Sequence, residues 1–347
     1  MHYTRLGNTG LLVSRIGFGA ATFTQGNQSI AALYKVGAQL ADQLVGRCRD
    51  AGVTLFDTSD VYADGESETL LGAALKPHRD KIVLTTKVGN RGTTDRDLLR
   101  GNLSRRHIIW SAEQSLQRLG TDWIDLYVAH REDLYTPLEE TLEAFDVLVR
   151  AGKVRYVGFS NWSAWKVAAA MELQKANRWA PFTHGQMYYS LLGRDVERDS
   201  LPMMRHYGLG MTVWGPLAFG FLSGAYGRED LAKPDNRFSS FDMLKFDREK
   251  AFSLLDILRE MASARGIGVA QLSLAWLLNR QGVSSVLMGA TKLHQLEDNL
   301  GAADILLTEE DMRRLNEATA IKPLYPSSDW IEPDRRVAKA LRGGPGV

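Results

Sequence analysis

One cysteine is all the chain has. Cys48 stands alone among 347 residues, which excludes an internal disulfide and a paired-cysteine zinc site. It falls in a helical pattern and reads as packing. A charge surplus is also missing: 42 basic residues face 41 acidic ones, for a net charge of +1. A nucleic-acid or polyanion binder needs a basic excess, so neither partner is expected. No apolar run approaches 18 residues, and no membrane span is indicated. The opening "MHYTRLGNTG" lacks the basic-then-apolar order of a secretory signal. The expectation is a cytoplasmic protein in which the Asn-x-Ser triplets at Asn27, Asn102 and Asn161 are chance. The histidines show neither HxH nor HExxH spacing, so no metal site is expected. Gly17-Phe18-Gly19 is followed by Thr22, not by the third glycine of a doubly wound dinucleotide fold.

What is present is regular. "YTRLGNTGLLVS" reads as a β-hairpin turning around Asn8-Thr9-Gly10. After it, short apolar strands alternate with amphipathic helices. The strands are "RIGFG", "VTLF", "KIVLTT", "WIDLYVA", "VRYVGF", "FTHGQM", "GMTVW" and "SVLMG". Helices are expected over residues 38–50, 68–75, 112–119, 138–150, 166–175, 196–206, 250–264, 270–279 and 293–300. Eight near-continuous apolar strands, each followed by helix, most simply close as an α/β (β/α)8 TIM barrel. No composition break divides the chain. It reads as a single domain over 1–347, with a hairpin at 1–14 and a Pro/Gly-rich extension at 319–347.

Polar residues gather at one end of those strands. Asp57, Lys87, His130, Asn161, Gln186 and Trp214 each stand at or just beyond the C-terminal end of a different strand. Capping would explain Asp57 in "TLFDTSDVY", but caps favour Ser, Thr, Asp and Asn over Lys, His, Gln or Trp. In a barrel these strand ends share one mouth, where active sites lie. Beside Lys87, the Tyr62 phenol is expected to move toward useful acid strength, because a cation favours the phenolate. Asp57 would hold Lys87 charged, and His130 would donate to a substrate carbonyl. None of these groups is a strong nucleophile, and of the paired carboxylates a glycosidase needs only Asp57 is found at this end.

With these residues in view, the chain resembles the aldo-keto reductase family over nearly its whole length. The matching stretches are "FDTSDVY", "LTTKVG", "DLYVAHRED", "GKVRYVGFSNW", "GQMYYSLL", "VWGPLAFGFLSG" and "LMGATKLHQLEDNLGA". Within the family it is similar to the branch of bacterial reductases and potassium-channel β subunits. The resemblance implies a catalytic tetrad of Asp57, Tyr62, Lys87 and His130. It implies that Ser160, Asn161 and Gln186 hold the nicotinamide carboxamide, and that Trp214 stacks on the ring. Gly215, Pro216, Leu217 and Ala218 begin the loop over the pyrophosphate. Gly289, Thr291, Lys292, Gln295, Asp298 and Asn299 fall at the adenosine end. Gly289 and Gln295 stand where shorter relatives place the lysine and arginine that grip a 2′-phosphate; Lys292 or Arg237 would replace them. The implied cofactor is NADP (NADPH), with NAD the alternative, and the implied substrate a small-molecule carbonyl or alcohol. Homo-oligomer formation is left open. A rival reading is a cofactor-binding regulatory or redox-sensing subunit with little turnover. The resemblance opposes it at position 130, where channel β subunits carry asparagine and this chain carries His130. Substrate choice is expected from the loops at 23–36, 89–106 and 220–246 and the tail near Trp330. Phe23, Phe219, Phe221 and Trp330 would form an apolar rim.

Overall fold

The computed structural model describes residues 1–90, 98–230, 244, 246–322, 324, 325, 337 and 340. Tyr3–Arg5 (β1) and Leu12–Ser14 (β2) pair antiparallel, Thr4 opposite Val13. Their turn lies against the barrel: a Cβ on Gly7 would stand 2.5 Å from the Gly210 nitrogen. Gly7 also has a positive φ of 56°, so both the conformation and the close approach demand glycine there. Leu6 and Val13 pack with Leu55, Val83, Leu126 and Leu287, closing the barrel at its N-terminal end.

The barrel strands are β3 (Ile16–Gly19), β4 (Leu55–Asp57), β5 (Val83–Val88), β6 (Ile124–Ala129), β7 (Val154–Ser160), β8 (Phe182–Tyr188), β9 (Gly210–Trp214) and β10 (Val283–Met288). Each pairs parallel with the next, and β10 closes on β3 through Val286–Ile16, Leu287–Gly17 and Met288–Phe18. Every residue of β5 and β10 is buried, which is why these strands read as apolar runs without alternation. Side chains two apart on a strand share a face. Leu55 and Val83 therefore fill the floor while Asp57 and Lys87, on the same faces, reach the opposite end.

Helices α1 (Ala38–Asp50), α2 (Glu66–Leu75), α3 (Arg105–Leu119), α4 (Leu138–Arg150), α5 (Ala164–Asn177), α6 (Ser200–His206), α7 (Arg248–Arg265), α8 (Val269–Leu278), α9 (Leu293–Leu300) and α10 (Glu309–Ala318) follow the chain. None is long and apolar enough to cross a membrane by itself. Three differ from expectation. Helix α3 begins seven residues before Ala112, because Ser104 caps it by accepting from the His107 N–H. The stretch 196–206 breaks into a 3-10 turn, Asp195–Glu197, and a short α6. Pro202 is tolerated only in a first helical turn, so α6 has to start close before it. Helix α10 was not anticipated; Thr308 and Asp311 form a capping box at its start, a pattern readable in "TEED".

Candidate active site

The peptide leaving β4 stays beside β5. Thr58 N donates to Thr85 O at 2.9 Å and Asp60 N to Lys87 O at 3.3 Å. Directly after Tyr62, Ala63, Asp64 and Gly65 take φ of 49°, 54° and 92°, turning the chain back into α2. A left-handed conformation costs a non-glycine residue about 1–2 kcal/mol. Six non-glycine residues of positive φ are seen among the described residues: Ala63, Asp64, Asn161, Arg178, Ala218 and Phe219. Arg178 ends a helix. The other five flank or are residues expected at the mouth, and such strain concentrates at functional sites.

Lys87 is fully buried. Its ammonium donates to Asp57 Oδ1 at 2.7 Å, Thr58 O at 2.6 Å and Tyr62 Oη at 3.2 Å. An ammonium has three hydrogens, and all are used. The other Asp57 oxygen accepts from Gln186 Nε2 at 2.8 Å. Burial opposes the Lys87 charge, but Asp57 and Tyr62 outweigh it and raise its pKa. For Tyr62 the expected direction is corrected. Burial raises the phenol above its ordinary value, and Lys87 only moderates this. Tyr62 is therefore a protonated phenol at neutral pH. Since its oxygen accepts from Lys87, its own hydrogen remains available to donate.

His130, just past β6, lies edge-on to Tyr62 with ring centroids 5.7 Å apart. Its Nδ1 is 3.0 Å from Ser59 Oγ. Burial, then Lys87 and Arg131, hold its pKa well below the ordinary imidazole value, so the ring is neutral. Behind it sits a polar cluster that sequence reasoning missed. Ser59 Oγ donates to Asp60 Oδ1 at 3.2 Å and Ser111 Oγ to Asp60 Oδ2 at 2.8 Å. Glu68 accepts from Thr86 Oγ1 and pairs with Arg118 at 2.6 Å. Ser59 and Asp60 stand in "TLFDTSDVY", but nothing in the sequence pairs them with Ser111, Glu68 or His130.

The expected nicotinamide residues line the same mouth. Trp214 Nε1 donates to Asn161 Oδ1 at 3.0 Å, and Asn161 Nδ2 donates to Ser160 Oγ at 2.9 Å. The half-buried Trp214 ring lies 5.1 Å from Tyr188 and 6.3 Å from Phe219. Gln186 also serves the tetrad, its amide nitrogen donating to Asp57. Gly215 takes φ of 63°, and a Cβ there would stand 3.1 Å from the Tyr188 ring. Pro216 and Leu217 follow, and Ala218 N closes the turn on Gly215 O at 2.9 Å. Beyond β10, Gly289, Thr291 and Lys292 lead into α9, with Gln295 in its first turn and Asp298 and Asn299 on its last. Gln295 Oε1 accepts from Thr291 N and Oγ1. No side chain caps α9, and Lys292 at its N-terminus is exposed. Uncapped N–H groups beside a cation suit a phosphate, so this donor set fits a dinucleotide. Arg237 and Trp330 lie outside the described residues. Phe23 and Phe221 are corrected: both are fully buried, Phe23 packing on Phe18 at 5.8 Å and Phe221 on Phe252 at 5.2 Å. They build the core beneath the loops, not a rim.

A closed parallel barrel holding an aspartate, lysine, tyrosine and histidine at the C-terminal strand ends has the architecture of a barrel oxidoreductase. The chain belongs to the Aldo/keto reductase family, whose profile matches residues 15–320. It is 36% identical to a "Probable voltage-gated potassium channel subunit beta" of Oryza sativa subsp. japonica, over 93% of this chain and 98% of that one. A protein of the same description from Arabidopsis thaliana is 33% identical over 94% and 99%. A "Putative voltage-gated potassium channel subunit beta" of Schizosaccharomyces pombe is 35% identical over 92% and 93%.

Proposed function

We propose that this chain reduces an aldehyde or ketone to an alcohol, and runs the reverse reaction, with NADPH as the preferred cofactor and NADH the alternative. The observation that carries the reading is the buried Lys87 ammonium, shared between Asp57 and the Tyr62 oxygen. Tyr62 donates its proton to the carbonyl oxygen. Lys87 stabilises the phenolate left behind, and Asp57 keeps Lys87 charged and in place. His130 supplies a second polar contact for the oxygen beside Tyr62. Ser160, Asn161, Trp214 and the turn from Gly215 to Ala218 would hold the nicotinamide half. The residues from Gly289 to Asn299 would hold the adenosine half. When bound, the reduced nicotinamide supplies the hydride. A phenol raised above its ordinary pKa is an acid at neutral pH, which favours reduction there and oxidation only in alkali.

A second reading has support in the relatives' names: a cofactor-binding subunit of a potassium channel, with little turnover of its own. A panel of aldehydes and ketones followed by NADPH absorbance, with NADH alongside, separates the two. Turnover that is lost in Tyr62→Phe supports the enzyme. Cofactor binding without turnover across the panel supports the subunit.

A further inference from the structure

We propose that Asp60, acting through Ser59, is a positioning residue that selects which ring nitrogen of His130 carries the proton. The geometry rests on a single hydrogen. The Ser59 hydroxyl lies between Asp60 Oδ1 at 3.2 Å and His130 Nδ1 at 3.0 Å, and a serine hydroxyl can donate to only one of them. When Asp60 is ionised, Ser59 donates to it and His130 Nδ1–H donates to Ser59. The Nε2 atom, which makes no hydrogen bond to a described residue, is then a bare acceptor. When Asp60 is protonated it donates to Ser59, Ser59 donates to Nδ1, and Nε2–H becomes a donor. The proton count closes. One proton enters at Nε2, the Nδ1 proton passes to Ser59 Oγ, and the Ser59 proton passes to Asp60.

The surroundings make Asp60 the carboxylate that takes up this proton. Two carboxylates, Asp60 and Glu68 of α2, face one cation, Arg118 of α3, and Arg118 pairs with Glu68. Ser111 of α3 donates to Asp60, and the Tyr127 phenol of β6 is raised by burial and by Asp60. Lys87 of β5 offers Asp60 only its backbone carbonyl, its ammonium being spent on Asp57, Thr58 and Tyr62. Burial and then Glu68 push Asp60 up to about 7, while burial and Lys87 hold His130 well below its ordinary value. A neutral histidine's tautomer is set by the partner of its other nitrogen.

The consequence for catalysis rests on the carbonyl-reduction reading; the tautomer itself does not. Long-range proton–nitrogen spectra of the full 15N-histidine-labelled chain are recorded from pH 5.5 to 8.5, with the His130 signals assigned by their loss in His130→Asn. The expected result is a change from Nε2–H to Nδ1–H with its midpoint near pH 7. In Asp60→Asn the change is abolished and one tautomer persists. Ser59→Ala, which breaks the relay without touching the carboxylate, abolishes it too. A single His130 tautomer across the range in the unaltered chain, or a titration unchanged in both variants, overturns the proposal. In turnover, carbonyl reduction should fall above pH 7 toward the roughly 10²-fold that one donor to a developing oxyanion contributes, and Asp60→Asn should flatten that fall. A tautomer change without any turnover leaves the relay standing and removes the carbonyl reading.

Discussion

Replacing Lys87 with methionine should destabilise the fold in a strongly pH-dependent way. The variant removes three hydrogen bonds, to Asp57, Thr58 and Tyr62. Asp57, only 4% exposed, keeps one partner, Gln186. Stranding one member of a buried ion pair costs about 3–5 kcal/mol. The carboxylate escapes part of this by taking a proton, and that escape depends on pH. A proton on a carboxyl of ordinary pKa 3.8 costs about 1.4 × 3.7, or about 5 kcal/mol, at pH 7.5, and about 1.4 × 1.2, or about 1.7 kcal/mol, at pH 5. Asp57 in the variant has a folded-state pKa above its unfolded value. Its contribution is therefore fully present below about pH 4 and is lost as pH rises. Urea denaturation should show Lys87→Met losing about 3–5 kcal/mol at pH 7.5 and only about 2 kcal/mol at pH 5, where protonating Asp57 is the cheaper course. Adding Asp57→Asn removes the stranded charge and should restore most of the loss at pH 7.5. A Lys87→Met loss under about 1 kcal/mol at pH 7.5, or a double variant no more stable than the single, would refute the reasoning.

Tyr62→Phe deletes one acceptor of the Lys87 ammonium, costing about 1 kcal/mol of stability, while carbonyl reduction falls about 10²-fold or more; near-normal turnover returns "FDTSDVY" to a capping role. Trp214→Ala should remove much of the tryptophan quenching caused by NADPH and weaken binding by about 1 kcal/mol; unchanged quenching takes Trp214 out of the site. Lys292→Ala should weaken NADPH more than NADH, and equal losses in a titration would show that Lys292 does not read the 2′-phosphate. Asp60, raised by burial and Glu68 to about 7, should lose the fold up to about 4 kcal/mol between pH 4 and pH 7. Asp60→Asn should remove that slope from the stability profile; a profile with the same slope would place the proton elsewhere.

Where strands and helices lie was readable from the chain because periodicity is local. Eight apolar runs with helices between them leave few alternatives to a closed parallel barrel, and the register confirms it from β3 to β10. Asp57, Lys87 and His130 were legible as a group for the same reason: strand ends in a barrel converge whatever their spacing in sequence. Errors arose where a local signal was overlooked or outweighed. Helix α10 carried its own capping box unnoticed, and Pro202 marked a helix start inside a stretch read as continuous.

Tertiary structure decided the electrostatics. That Gln186 hydrogen-bonds Asp57, 129 positions away, cannot be read from either segment. Nor can the direction of the Tyr62 shift, because a phenol beside a lysine moves down in water and up when burial outweighs the cation. Phe23 and Phe221 follow the same logic. Loop aromatics look like a rim in sequence, and whether they face solvent or core depends on what packs across from them. Ser59 and Asp60 were plain in the opening of the site, yet their neighbours Ser111, Glu68, Arg118 and His130 come from other elements. Sequence patterns report which side of an element is apolar; pKa and hydrogen bonding depend on distances of a few ångströms between groups far apart in the chain.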